Sequence, residues 1–315
     1  MEQNDVTLAA IRKGKNTMET AFLRAILEND GVVPEGYSVQ GLTPELLELL
    51  GSTDMGRRET SLDVLSGWIY RGPGVYYSAD EMRSIGQQMA HNLTIGIGEH
   101  ETDSVFRRAF SALILGEIIS ADNRQAFLDE AQVHTWLEQG MVYMRSEQDR
   151  RGWVAGKGWA HGIAHASDLL SVLSRSRYAG EAELEGILET IRAKVSEPAD
   201  QAYLYEEDDR LVSAVMSVLL RDVLDSDFLT TWLDRLAQPP GQVPWNKVLG
   251  LTETNEALVF ARFNMVTFLR SLYFQLLLGN NPHPSFATRT PAVRDALLPA
   301  ILAALRVMDR WAYAR

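Results

Sequence analysis

The chain has 315 residues, 46% hydrophobic and 23% charged, a balance that fits a folded protein and excludes intrinsic disorder. With 30 Lys+Arg against 42 Asp+Glu the net charge is −12, which repels phosphate backbones and argues against nucleic-acid binding. The absence of cysteine removes disulfides, thiolate metal sites and thiol nucleophiles together.

Met1–Asn16 has no continuous apolar run of the kind a secretory leader uses, so a cytoplasmic location is expected. Residues 1–40 are expected to be a less regular start to a single all-helical domain spanning 1–315. Beyond them, apolar residues recur at helical spacing and period-two alternation is missing, which predicts an all-α fold. Thr43-Pro44 reads as a helix start, with a capping hydroxyl before a first-turn proline. Gly72-Pro73-Gly74 breaks the chain, and Ser78 with Glu81 reads as a capping box. Gly96-Ile-Gly98 follows no strand pattern and does not read as a nucleotide loop. Asp103 is a plausible cap for Asp103–Ser120, whose apolar face includes Phe106, Phe110 and Leu113. A helix is expected over Arg124–Met144 and another over Glu181–Val195. Asp209–Leu224 carries a clear apolar face, Asp225 is a plausible cap, and Pro239-Pro240-Gly241 is a breaker. Ala257–Leu278 is the most apolar stretch, but Arg262, Asn264 and Arg270 interrupt it, so it reads as a buried helix and not a membrane span. Asn280–Pro284 is a further breaker, and Thr290-Pro291 a second capping start. Trp68, Trp136, Trp232 and Trp311 lie in apolar helical patterns and read as core.

Five segments resemble one another, beginning at Asp54, Asp103, Gly158, Asp208 and Arg262. Each opens with a polar cluster and continues as an apolar helix, with starts roughly 50–55 residues apart. One helix pair fits each period. The expectation is an α-solenoid of HEAT-like helix pairs with these segments as inner helices, the alternative being an irregular α/α bundle or toroid.

The densest polar and aromatic stretch is Asp149–Leu170, with Gly152, Gly156 and Gly158 suggesting a tight loop and a helix expected from about Gly158. On such a helix His165 lies about 40° and Asp168 about −20° from His161, one narrow stripe. Trp159, Ile163, Ala166, Leu170 and Leu173 fall on the opposite side as a core face, so the stripe is expected to face solvent, a groove or a neighbouring helix. Histidines at i and i+4 with a carboxylate one turn on can ligate a divalent metal, making His161, His165 and Asp168 candidate ligands. The residue after the first histidine is Gly162, so the general base of a zincin is missing. Trp153 flanks the glycine loop and is a candidate pocket wall, with Arg151 and Lys157 beside it. The repeat register adds Asp103, Arg107, Asp209, Arg210 and Asn264 as candidates on the same surface; the acidic run Glu206–Asp209 also suits a helix N-terminus by itself.

The run Arg151-Gly-Trp, followed by Lys157-Gly-Trp-Ala-His-Gly-Ile-Ala-His-Ala-Ser-Asp-Leu-Leu, resembles the bacterial family described as domain of unknown function 2785. Asp103-Ser-Val-Phe-Arg-Arg-Ala-Phe-Ser resembles a second signature of that family, and the resemblance extends over roughly Leu46 to Met308. It implies a helical, HEAT-like protein and carries no activity with it. Two functions stay open. One is a repeat protein holding a small molecule, peptide or protein on a concave surface. The other is an enzyme, with or without a metal, working through His161, His165 and Asp168.

Overall fold

The computed structural model describes residues 19–239, 241, 243–250, 255–279, 290–309 and 311–313. In chain order the first helices are α1 (Thr20–Glu28), α2 (Val39–Leu49), α3 (Met55–Tyr70), α4 (Ala79–Asn92), α5 (Ser104–Arg124) and α6 (Glu130–Ser146). A small antiparallel hairpin follows, β1 (Trp153–Val154) with β2 (Gly158–Trp159). Then come α7 (Gly162–Ser174), α8 (Glu181–Ser196), α9 (Glu207–Leu219), α10 (Ser226–Leu236), a 3-10 turn at Trp245–Gly250, α11 (Glu256–Leu278) and α12 (Arg294–Met308). The fold is all-α, and the hairpin is the only sheet among the described residues. No helix among them is long and apolar enough to cross a membrane.

Alternate helices pack in two rows. In one, α3 lies against α5, α5 against α7, α7 against α9 and α9 against α11. In the other, α4 touches α6, α6 touches α8, α8 touches α10 and α10 touches α12. The five similar segments all supply first-row helices, although the Arg262 segment falls inside α11 and not at its start. Apolar periodicity explains the order: Leu211, Val212, Val215 and Met216 of α9 are fully buried, as are Phe106, Ala109, Leu115 and Ile118 of α5.

Local signals place some helix ends and miss others. Ser78 and Glu81 form the expected capping box, and Asp225 accepts from Asp227 N. α2, however, begins at Val39, where Ser38 Oγ accepts from Gly41 N. Thr43 is inside that helix and bonds its own i−4 carbonyl, Val39 O, and the Tyr77 hydroxyl. α12 begins at Arg294, after a turn closed by Arg294 N to Pro291 O. Arg124 ends α5, and α6 starts only at Glu130 under the Asp129 cap. The irregular N-terminal segment already contains α1, while residues 1–18 lie outside the described residues, as does the Asn280–Pro284 breaker. Trp68, Trp136 and Trp232 are core, but Trp311 is 97% exposed because the last helix stops at Met308.

Candidate functional site

Asp149–Leu170 is seated on a buried ionic network. Arg108 of α5 and Glu147 are both fully buried and pair twice, Nε to Oε2 at 2.7 Å and Nη2 to Oε1 at 3.0 Å. Lys194 of α8 donates to the Glu147 carbonyl at 2.8 Å, and Arg151 clasps Asp149. The chain therefore leaves α6 at a fixed point before turning into the hairpin.

In the hairpin Trp153 faces Trp159 and Val154 faces Gly158. Gly158 has φ +82°, and a Cβ there would come within 2.6 Å of the Met55 side chain. That close approach lets Arg58 of α3 reach the hairpin, donating to Lys157 O at 2.7 Å, to Trp159 O at 3.2 Å and to Ser52 O at 2.6 Å. Its guanidinium carbon lies 4.2 Å and 4.8 Å from the Phe106 and Phe110 ring centroids. On the hairpin's far side the Tyr205 ring rests against Gly152, where a Cβ would meet it at 2.2 Å.

The helix begins at Gly162, later than expected, because His161 adopts a left-handed backbone at φ 51°, ψ 35°. Such a conformation costs a non-glycine residue about 1–2 kcal/mol. One expectation changes with it and another narrows. Trp159 is not on the core face; it is 36% exposed and stacks on the His161 ring at 4.4 Å. Of the three surroundings expected for the stripe, His165 takes the groove and the neighbouring helix: it lines a cleft at 8% exposure, edge-on to Phe110 at 5.4 Å and to His161 at 5.6 Å. The reason is the row itself, since α5 and α9 flank α7 and cover the face opposite its apolar stripe. Ile163, Ala166, Leu170 and Leu173 are buried as expected.

Four consecutive first-row helices enclose a cleft of about 590 Å³ around the histidines. From α3 it takes Glu59, Leu62 and Asp63, and from α5 Phe110 and Leu113. Trp159, His161 and His165 form a second wall. Leu204, Tyr205 and Glu206 of the loop before α9, with Arg210, complete it. Glu206 also has a left-handed backbone, φ 66°, so both helices that open onto the cleft start from a strained residue.

The cleft's polar groups are incompletely paired. Of the lining residues, Glu59 Oε1, His161 Nε2 and His165 Nδ1 are buried with no hydrogen-bond partner, and so are Glu207 Oε1 and Arg58 Nε next to them. His161 Nε2 and Glu207 Oε1 face each other at 4.0 Å. Burial lowers the His165 pKa to about 3, helped by the neighbouring His161 and Arg210 charges. Burial, then Arg210, lowers that of His161. Burial raises the carboxyl pKa values of Glu59, Asp63 and Glu207. Both imidazoles are therefore neutral near pH 7. Each bonds a backbone group in a way that favours its charged form, His165 at Ala109 and His161 at Tyr205. A neutral imidazole has one ring nitrogen that donates and one that accepts.

Of the expected site residues, His161, His165 and Arg210 line this cleft together. Asp168 is held by Arg210 Nη1 at 3.0 Å and 2.9 Å and lines an adjoining hollow. No group of three His, Asp or Glu side chains among the described residues is placed to hold a metal ion. Trp153 does not line the cleft and stands edge-on to Trp159, ring centroids 4.9 Å apart. Lys157 and Asp103 pair at 2.6 Å at the hairpin's outer edge, and Arg107 pairs with Glu48. Asp209 accepts from Ser271. Asn264 is buried and structural: its Oδ1 accepts from Tyr203 N at 2.7 Å and its Nδ2 donates to Gln201 O at 3.4 Å. Sequence reading missed Glu59, Asp63 and Tyr205, which look like solvated helix and loop positions. It saw Glu207 only as part of an acidic helix start.

No curated protein and no solved structure matches the chain. A family model matches residues 93–274, a span holding the hairpin, both cleft histidines and three of the four helices around them, somewhat shorter than the Leu46–Met308 resemblance. The chain belongs to the family described as Protein of unknown function (DUF2785).

Proposed function

We propose that the protein is a helical-repeat binding protein, its two rows winding as an α-solenoid of HEAT-like pairs with the cleft on the concave side. A small molecule, or a side chain of a peptide or protein, enters between α3, α5, α7 and α9. The observation that carries this reading is the set of three buried, unpartnered polar atoms on the cleft lining, Glu59 Oε1, His161 Nε2 and His165 Nδ1, with Glu207 Oε1 4.0 Å from His161 Nε2. A buried group left unpaired costs about 1–3 kcal/mol, and chains retain such a cluster where a ligand completes it. Strained His161 and Glu206 on the same rim support it. The test is a thermal-shift screen of the full chain against a metabolite library, repeated on Tyr205→Ala and Arg210→Ala. Hits that lose their effect in both variants are expected; hits indifferent to both, or none at all, overturn the reading.

One observation favours an enzyme as a second reading. His161 Nε2 and Glu207 Oε1 face each other at 4.0 Å, and a bound hydroxyl or water donating to His161 Nε2 there would make His161 a general base. A hit from the screen incubated with the protein would then be converted to a product seen by mass spectrometry, and Glu207→Gln would stop conversion. Recovery of the unaltered compound would exclude it.

A further inference from the structure

Four of the unpartnered atoms at or beside the cleft share one chemical character. His165 Nδ1 and His161 Nε2 are ring nitrogens, and Glu59 Oε1 and Glu207 Oε1 are carboxyl oxygens, while the unpartnered Arg58 Nε lies against the Phe110 ring. A ligand reaching those four brings N–H or O–H donors.

Charge narrows the class. Glu59, Asp63 and Glu206 line the cleft with no cation of the described residues in ion-pair range. Arg210 is matched by Asp168, and Arg58 is spent on three carbonyls beside the Phe106 and Phe110 rings. The cleft lining thus holds three carboxyl groups against one guanidinium. Trp159, Tyr205 and Phe110 add aromatic surface of the kind that receives cations.

Geometry narrows it again. Two acceptors 4.0 Å apart can share a nitrogen about 2.8 Å from each, subtending roughly 90°, which an ammonium's three hydrogens satisfy. A hydroxyl has one proton and can serve only one of the two. We propose that the cleft takes a primary ammonium group, seated between His161 Nε2 and Glu207 Oε1, with its alkyl chain along Trp159 and Tyr205. The inference rests on the binding reading above and names the ligand class.

The test uses the full chain with diaminopentane as probe, followed by thermal shift and tryptophan emission. The matched controls are pentanediol, glutarate and tetramethylammonium. Diaminopentane is expected to stabilise the protein, with pentanediol and glutarate silent and tetramethylammonium at least about tenfold weaker because it lacks donors. Lysine amide against free diaminopentane separates a lysine side chain from a free amine as the natural source. Glu207→Gln should weaken the diamine by about tenfold, and Asp63→Asn, whose residue is open to solvent on one side of the cleft, by a smaller factor. Equal responses to the diol or to tetramethylammonium would overturn the ammonium, as would silence with diaminopentane at about 20 mM or an undiminished response in both variants. A diol or glutarate response lost in Tyr205→Ala overturns the ammonium alone and leaves ligand binding in place.

Discussion

Burial holds the His165 imidazole neutral, with a folded pKa of about 3 against an ordinary 6.5. The folded state therefore refuses a proton that the unfolded chain accepts. Its stabilising share is whole above pH 6.5 and falls as pH drops toward 3, by about 1.4 kcal/mol per unit. Glu59, Asp168 and Glu207 act in the opposite sense, since burial raises their pKa values. The effect is isolated by comparing denaturant unfolding of the wild type and His165→Gln from pH 7 to 4. The wild type should lose stability more steeply, and parallel curves would mean that the imidazole already titrates in the fold. Glu206 supplies a second prediction. Its φ of 66° suits glycine, so Glu206→Gly should gain about 0.5–1 kcal/mol in thermal unfolding while weakening cleft binding. A loss of stability would show that the Glu206 side chain matters more than its strained backbone. At this scale the histidines were legible because polar and aromatic residues crowd around them. Glu59 and Asp63 were not, because nothing in a helical wheel separates a cleft carboxylate on α3 from a solvated one.

The hairpin is the element on which the site turns, and one arginine holds it. Arg58→Met removes three donor bonds to carbonyls and strands Lys157 O and Trp159 O, so a loss of about 2–4 kcal/mol is expected. The near-ultraviolet signal of the stacked Trp159 should fall with it, and Arg58→Lys should not restore it, because an ammonium cannot span two carbonyls as a fork does. An Arg58→Met protein with wild-type melting and an intact Trp159 signal would show that the strands stand without the clamp. Helix existence was readable from apolar spacing, and the Ser78–Glu81 and Asp225 starts from their caps. The start of α7 was misplaced because a left-handed His161 is imposed from outside, by a hairpin tied to α3 and to the Arg108–Glu147 pair. A two-residue strand has no alternation to display, so β1 and β2 left no trace in the pattern.

Across the molecule the first-row order was legible from the five similar segments, whereas the cleft was not, because it exists only where four of those helices meet. Its last wall depends on a residue outside it. Asn264 of α11 fixes Tyr203 and Gln201, and so the path of Leu204–Glu206. Asn264→Leu is expected to speed amide exchange at Tyr203 by about tenfold or more and to weaken cleft ligands, with α3 and α5 keeping their protection. Unchanged exchange at Tyr203 would show that the loop holds itself. The same tether has a meaning in time. During synthesis the chain emerges from its N-terminal end, and α3, α5, α7 and α9 can stack as each appears. Every residue lining the cleft has been made once Arg210 is out, yet the loop lacks its Tyr203 and Gln201 ties until Asn264 follows it. A nascent or truncated chain ending near α10 would carry the histidines with one wall adrift. The Tyr203 and Gln201 ties therefore form only when α11 docks on α9, so this wall of the cleft is set in place after the residues that line it.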